Sequence, residues 1–206
     1  MADPERPQIY LITPSEVELS SFPALLGRIL DSAEIACVRM ALSTRDEERL
    51  SRTGDALREV AHARDVALVI AEHGLMVDRL GLDGVHLPDG ARAVRKWRKE
   101  LGDDAILGAY CGASRHDGIT AGEAGADYVS FGPVGQTALG DGTVADADLF
   151  QWWSEMIEVP VVAEGALNEE HIRNLCNYTD FFGFGQEIWT AEDPVAQLKA
   201  FLTAMN

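Results

Sequence analysis

At 206 residues, with 47% hydrophobic and 25% charged side chains, the chain can bury one substantial core and has the composition of an ordinary globular protein. Its 17 basic and 34 acidic residues leave a net charge of −17. That field repels nucleic acid and anionic membrane surfaces, and any anionic ligand not met by a local Arg or Lys.

No apolar run is long enough to span a bilayer, and the polar start MADPERPQIY reads as no signal peptide. Three widely spaced cysteines, Cys37, Cys111 and Cys176, fit no disulfide framework and point to a reducing, cytoplasmic setting. In chain order, strand and helix alternate. Gln8–Thr13 is an apolar run stopped by Pro14, and Ser21–Leu30 has helical periodicity. Glu34–Met40 is strand-like. Thr44, with Glu47 three residues on, reads as a capping box opening a helix to about Ala63, with Leu50, Ala56, Leu57 and Val60 on one face. Ala67–Ala71 is a continuous apolar strand and Leu75–Leu80 a short helical piece. Gly84–Leu87 is a strand stopped by Pro88, followed by a helix over Ala91–Leu101 and a strand over Ala105–Ala109. Ser114–Ala124 is helical, with Gly125 supplying the positive φ of a helix end. Tyr128–Phe131 is a strand that Gly132-Pro133 terminates. Asp146 caps a helix over Leu149–Ile157, Pro160–Ala163 is a strand, Asn168 caps His171–Asn177, Phe181–Phe184 is a strand and Pro194–Ala204 closes the chain as a helix.

Eight strands, each followed by a helix, close most naturally as a compact single (β/α)₈ TIM barrel, an α/β domain spanning 1–206. An open doubly wound sheet would place a GxGxxG turn after its first strand, and none is present. In a barrel the chemistry sits at the carboxyl ends of the strands, here near Thr13, Met40, Ala71, Leu87, Ala109, Gly132, Glu164 and Gly185.

The segments YLIT (Tyr10–Thr13), LDGVHL (Leu82–Leu87), GADYVSFGPV (Gly125–Val134) and PVVAEGAL (Pro160–Leu167), in this order and spacing, resemble the thiamine phosphate synthase family, which includes the TenI-like thiazole tautomerases. The resemblance covers essentially the whole chain. It implies a (β/α)₈ barrel and a transferase of thiamine biosynthesis, in which hydroxymethylpyrimidine diphosphate couples to thiazole phosphate and pyrophosphate leaves with help from Mg²⁺. It also implies a phosphorylated small-molecule substrate. Pro133 matches the synthase GPV rather than the GHV of the tautomerases.

The resemblance carries over residue by residue, and several positions differ. The family's Gln-x-Arg-x-Lys after the second strand reads Cys37-Val38-Arg39-Met40-Ala41 here, retaining Arg39 alone. Its Asn-Asp pair after the third strand is Ala71-Glu72 here. The metal-binding Asp after the fourth strand has Asp89 nearby, behind His86, Leu87 and Pro88. The Thr-x-Thr-Lys loop retains Thr137, with Leu139 and Gly140 in place of the second Thr and the Lys. The thiazole-phosphate turns read Gly165-Ala166 and Gly185-Gln186. The catalytic candidates are therefore Arg39, Glu72 and Thr137, and the metal candidates Glu72 and Asp89. Substrate-binding candidates are Arg39, His86, Cys111, Gly132, Pro133, Thr137, Gly165, Ala166, Gly185 and Gln186.

A departing diphosphate needs fixed cations and Mg²⁺, and losing one preorganised charge contact costs on the order of 3 kcal/mol. Arg45 and Arg115 are candidate replacements. Glu72, Glu164 and Glu187 lie at or just past strand ends and could form an acidic rim suited to a cationic or neutral ligand, or to a metal. For Glu164 and Glu187 the plainer expectation is an outward, solvated carboxylate. His86 has a packed structural role as its alternative, Cys111 an inert buried thiol, and Arg39 a salt bridge to Glu72. Trp152-Trp153 should divide between core and surface, and the loop around Gly140–Gly142 could be a lid. Three readings stay open: the family's synthase reaction, another small-molecule activity on the same barrel, and a non-catalytic ligand-binding homologue. Self-association into a homo-oligomer is open as well.

Overall fold

The structure is a computed structural model that describes residues 6–205. Met1–Glu5, half of the N-terminal segment read above as carrying no signal peptide, lie outside the described residues. The strands are β1 (Gln8–Ile12), β2 (Ile35–Met40), β3 (Ala67–Ala71), β4 (Gly84–Leu87), β5 (Ile106–Tyr110), β6 (Tyr128–Phe131), β7 (Val161–Glu164) and β8 (Phe181–Phe184). The helices between and after them are α1 (Phe22–Leu30), α2 (Glu47–His62), α3 (Met76–Leu80), α4 (Val94–Leu101), α5 (Arg115–Glu123), α6 (Ala147–Met156), α7 (Glu169–Leu175), α8 (Gln186–Trp189) and α9 (Pro194–Ala204). All strand pairings are parallel and run in sequence order, and β8 pairs back onto β1 to close the barrel.

Side-chain alternation divides the apolar residues between two cores. Tyr10, Cys37, Val69, Tyr128 and Val162 point inward and fill the barrel. Leu11, Val38, Val129 and Phe131 point outward into the larger core shared with the helices, where Phe131 meets the Trp153 ring edge-on at 4.9 Å. Trp153 is fully buried and Trp152 half-exposed, as their spacing suggested. The interior is tight. A Cβ added at Gly108 on β5 would lie 2.0 Å from the Tyr128 ring, so β5 carries glycine where β6 sends its tyrosine across the barrel.

One device recurs at the amino-terminal face. Asp83, Asp127 and Asp180 each stand just before a strand and accept a hydrogen bond from a backbone N–H on the preceding strand: Leu68 at 2.6 Å, Leu107 at 2.7 Å and Val161 at 2.7 Å. These bonds fasten neighbouring strands in register at the end away from the mouth.

Ser114, Asp146 and Asn168 cap α5, α6 and α7 with their side chains, and Gly125 adopts φ +102° after α5. The capping box at Thr44 does not form. Asp46 caps α2 instead, accepting the Arg49 N–H at 2.8 Å, while Thr44 accepts the Asp46 N–H. Glu47 is thereby the first helical residue, where it meets the helix dipole rather than reaching back to a cap. The short α8, absent from the periodicity reading, extends over four residues, too few to show a repeat. Several boundaries move by a residue or two, and the helix expected from Ala91 begins as α4 at Val94, after a 3-10 turn over Gly90–Ala93. The shift that matters is at β7, which includes Glu164.

Gly108→Ala should force the Tyr128 ring out of the interior and cost about 3 kcal/mol, the upper end for overpacking. Thermal unfolding should shift down by roughly 6–12 °C for a chain of this size.

Candidate active site at the barrel mouth

Strand parity places the site. On β2, Cys37 and Arg39 face inward; on β7, Val162 and Glu164 do. Because the barrel is closed, β2 and β7 stand across from each other with β1 and β8 between, and their last inward side chains meet over the packed interior. Arg39 and Glu164 form a fork-to-fork ion pair, Nη1 to Oε1 at 3.3 Å and Nη2 to Oε2 closer still. Side-chain exposure is 8% for Arg39 and 2% for Glu164. Burial disfavours the charged guanidinium, but the adjacent carboxylate overrides it and holds the Arg39 pKa above its ordinary value. This corrects two expectations. The partner of Arg39 is Glu164 rather than Glu72, and Glu164 faces the interior rather than solvent.

Below the pair runs a hydrogen-bonded chain. The Tyr10 hydroxyl lies 2.6 Å from the Tyr128 hydroxyl, which lies 3.0 Å from His86 Nδ1. Its direction follows from donor accounting. Among the described residues the Tyr10 hydroxyl has no acceptor other than Tyr128, so it donates there. Tyr128 then has His86 Nδ1 as its acceptor. His86 is thereby the neutral tautomer with the proton on Nε2, which is left for the cavity that His86 lines. Burial, then the Arg39 charge, pushes the His86 pKa well below its usual value. Burial also raises both tyrosines, so the chain is uncharged throughout.

The cavity at the mouth holds about 270 Å³, the volume of one small ring with substituents, and its lining includes Arg39, Glu72, His86, Tyr110, Leu139 and Glu164. Glu72 stands exposed on the rim at φ +65°, a left-handed conformation that costs a non-glycine residue on the order of 1 kcal/mol. Tyr110 donates to the Gly132 carbonyl at 2.6 Å and packs under Gly140, where an added Cβ would sit 2.5 Å from its hydroxyl. The β6–α6 loop therefore lies over the mouth and presents Leu139 to the cavity. Thr137 on the same loop is exposed and outside the cavity lining.

The other candidates are placed as follows. Asp89 and Cys111 line a neighbouring cavity of about 420 Å³ that shares Pro88 and Tyr110 with the mouth. Asp89 lies 4.0 Å from Arg92, and burial pushes the Cys111 thiol up to about 12, which makes it inert as a nucleophile. Gly132, Pro133, Gly165 and Ala166 tie the loops after β6 and β7 together. Val134 and Gly135 donate to the Gly165 carbonyl, Ala145 donates to the Pro133 carbonyl, and the His171 ring meets the Ala166 carbonyl at 3.2 Å. Gln186 is exposed at the start of α8. Glu187 does not join an acidic rim. Its carboxylate accepts the Gly185 N–H at 2.8 Å and the Leu167 N–H at 3.0 Å, filling the amides between the loops after β7 and β8. Arg115 leans on the Trp152 ring and bonds the Asp148 carbonyl, and neither it nor exposed Arg45 lines the mouth cavity.

Mg²⁺ takes hard oxygens in octahedral geometry. Among the described residues no three His, Cys, Asp or Glu side chains come together to hold a metal, and Glu72 and Asp89 line different cavities. Of the two metal candidates, Glu72 alone lines the mouth cavity. Tyr10, Tyr110 and Tyr128 were not among the candidates. Tyr128 could have been found from the DGVHL and GADYV segments, since strand parity points both His86 and Tyr128 inward.

Comparison with known proteins bears on the family and the fold. Residues 9–179 match the family model described as thiamine monophosphate synthase. The thiamine-phosphate synthase of Rhodospirillum centenum is 39% identical over 164 residues, 79% of each chain. That of Erythrobacter litoralis is 34% identical over 203 residues, 95% of each. The solved thiamine phosphate pyrophosphorylase of Pyrococcus furiosus superposes with a TM-score of 0.82 at 21% identity, covering 96% of this chain and 95% of that one, which shows the fold. Among the described residues no helix is long and apolar enough to cross a membrane.

Arg39→Ala should strand the Glu164 carboxylate in the barrel and cost about 3–5 kcal/mol in urea unfolding, whereas Arg39→Met combined with Glu164→Leu should be near neutral. His86 gives a pH dependence. Its folded pKa is depressed, so below about pH 6.5 the unfolded chain binds a proton that the native state does not. Stability should be complete above that pH and fall by up to about 1.4 kcal/mol per unit below it. His86→Gln should make the slope between about pH 5 and 6.5 shallower.

Proposed function

The chain belongs to the thiamine monophosphate synthase family, and on that premise we propose that its mouth cavity receives the pyrimidine diphosphate of the family's coupling reaction. One observation carries this reading. Arg39 and His86 on β2 and β4, and Glu72 just past the end of β3, which the family resemblance assigns to substrate and metal, converge on one cavity at the carboxyl ends of the barrel.

In this reading the His86 Nε2–H donates to an acceptor on the pyrimidine ring. A departing diphosphate carries the bonding electrons away and accumulates negative charge, which Arg39 meets. Leu139 and Gly140, held over the mouth by Tyr110, keep water from the reacting carbon. Magnesium would be brought by the diphosphate itself, because among the described residues no three potential metal ligands come together. The three cysteines carry no disulfide, in keeping with a cytoplasmic enzyme.

A second reading, a family barrel that binds a ligand without this turnover or acts on a different small molecule, draws its support from the Arg39–Glu164 pair, which neutralises the only buried Arg or Lys among the described residues.

Purified protein given pyrimidine diphosphate, thiazole phosphate and Mg²⁺ should form thiamine phosphate, followed by fluorescence after oxidation. Arg39→Gln should lower kcat/KM by about a hundredfold, roughly 3 kcal/mol. No product from folded wild-type protein would leave the second reading.

A further inference from the structure

Among the described residues Arg39 and Glu164 are the only Arg or Lys and the only carboxylate that are buried, and each is the other's charge partner at the wall of the mouth cavity. The guanidinium presents two terminal nitrogens to Glu164 and keeps a third donor, Nε, fully enclosed with no partner. Ser130 Oγ, on the inward parity of β6, is likewise enclosed and unpartnered. The guanidinium's own donor capacity is therefore larger than its one carboxylate uses.

A carboxylate and a phosphate match the same guanidinium fork. We infer that Glu164 is a tethered competitor for that fork: an anionic ligand reaches Arg39 only by displacing the Glu164 side chain, and Glu164 thereby sets how strongly the mouth discriminates against anions. A tethered group acts at an effective concentration on the order of millimolar or above, so a free anion competes at a disadvantage. The protein's net charge of −17 works in the same direction at longer range. The carboxylate of Glu187 likewise occupies the amides of Gly185 and Leu167, a second internal anion on groups able to accept one. The inference rests on the mouth cavity being the ligand site proposed above, not on turnover there, and the two are tested separately.

The test is calorimetric titration with sodium pyrophosphate in a metal-free buffer, so that only cations of the protein are read. Wild type, Glu164→Gln and the double variant Glu164→Gln with Arg39→Gln are compared, with thermal unfolding as a check on folding. Glu164→Gln should bind pyrophosphate at least tenfold more tightly than wild type, and the double variant should lose the gain. Equal affinity in wild type and Glu164→Gln would overturn the inference, as would a gain that survives without Arg39. Should Glu164→Gln fail to fold, Glu164→Asp runs the same test. Its carboxylate is drawn back by one methylene, and a gain of at least threefold that depends on Arg39 is expected. Absence of that gain overturns the inference. Thiamine phosphate formation is assayed independently, so a barrel that makes no product can still show competition, and a working synthase can still lack it.

Discussion

A guanidinium and a carboxylate enclosed together at the top of the barrel constrain everything around them. Each would be costly to bury alone, and together they are tolerable only in a geometry that satisfies both. That geometry exists because the last inward side chains of β2 and β7 meet across a closed eight-strand ring. The pair therefore spans the mouth, gives the cavity one wall from each side, and requires the strands to keep their register. The aspartates at the opposite end, Asp83, Asp127 and Asp180, tie neighbouring strands together at their starts. Pinned below and bridged above, the barrel leaves little freedom to the side chains between.

Those side chains carry no charge. Tyr10, Tyr128 and His86 pass a single direction of hydrogen bonding up to the cavity, and burial keeps all three neutral. The floor of the mouth is thus a fixed donor, while its walls hold a charge pair that cancels itself. Glu187 repeats the theme in the loops after β7 and β8, where its carboxylate gathers the backbone amides. The region is rich in groups able to receive an anion, and two of them are satisfied from within the chain.

The family frame and the mouth chemistry have diverged to different extents. The β6–β7 loop pairings through Gly132, Pro133 and Gly165 hold the segments whose spacing carries the resemblance. The positions that would supply Lys and Asn instead carry Ala41, Ala71 and Gly140 along the cavity lining. What they leave is a small recess whose polar groups are Arg39, Glu72, His86, Tyr110 and Glu164.

Much of the architecture was legible from local pattern. Strand runs stopped by Pro or Gly, caps at Asp146 and Asn168, and the regular alternation were enough to infer eight βα units, because these signals act over a few residues. The capping at Thr44 misled because two potential caps, Thr44 and Asp46, stand two residues apart, and only the backbone path chooses between them. Local sequence also identified Arg39, Glu72 and His86 as strand-end residues facing a common mouth. It could not say that Glu164 turns inward. An acidic residue after Ala163 reads as the start of a loop, and only when β7 extends by one more pair does parity send the side chain into the barrel. Nor could it pair Arg39 with a residue 125 positions away, or turn Glu187 onto the amides of Gly185 and Leu167. The sequence by itself determined the elements, their order and the closed sheet they favour, through interactions between near neighbours. Ring closure alone decided which charges face each other, because it sets distances between strands that no local pattern records.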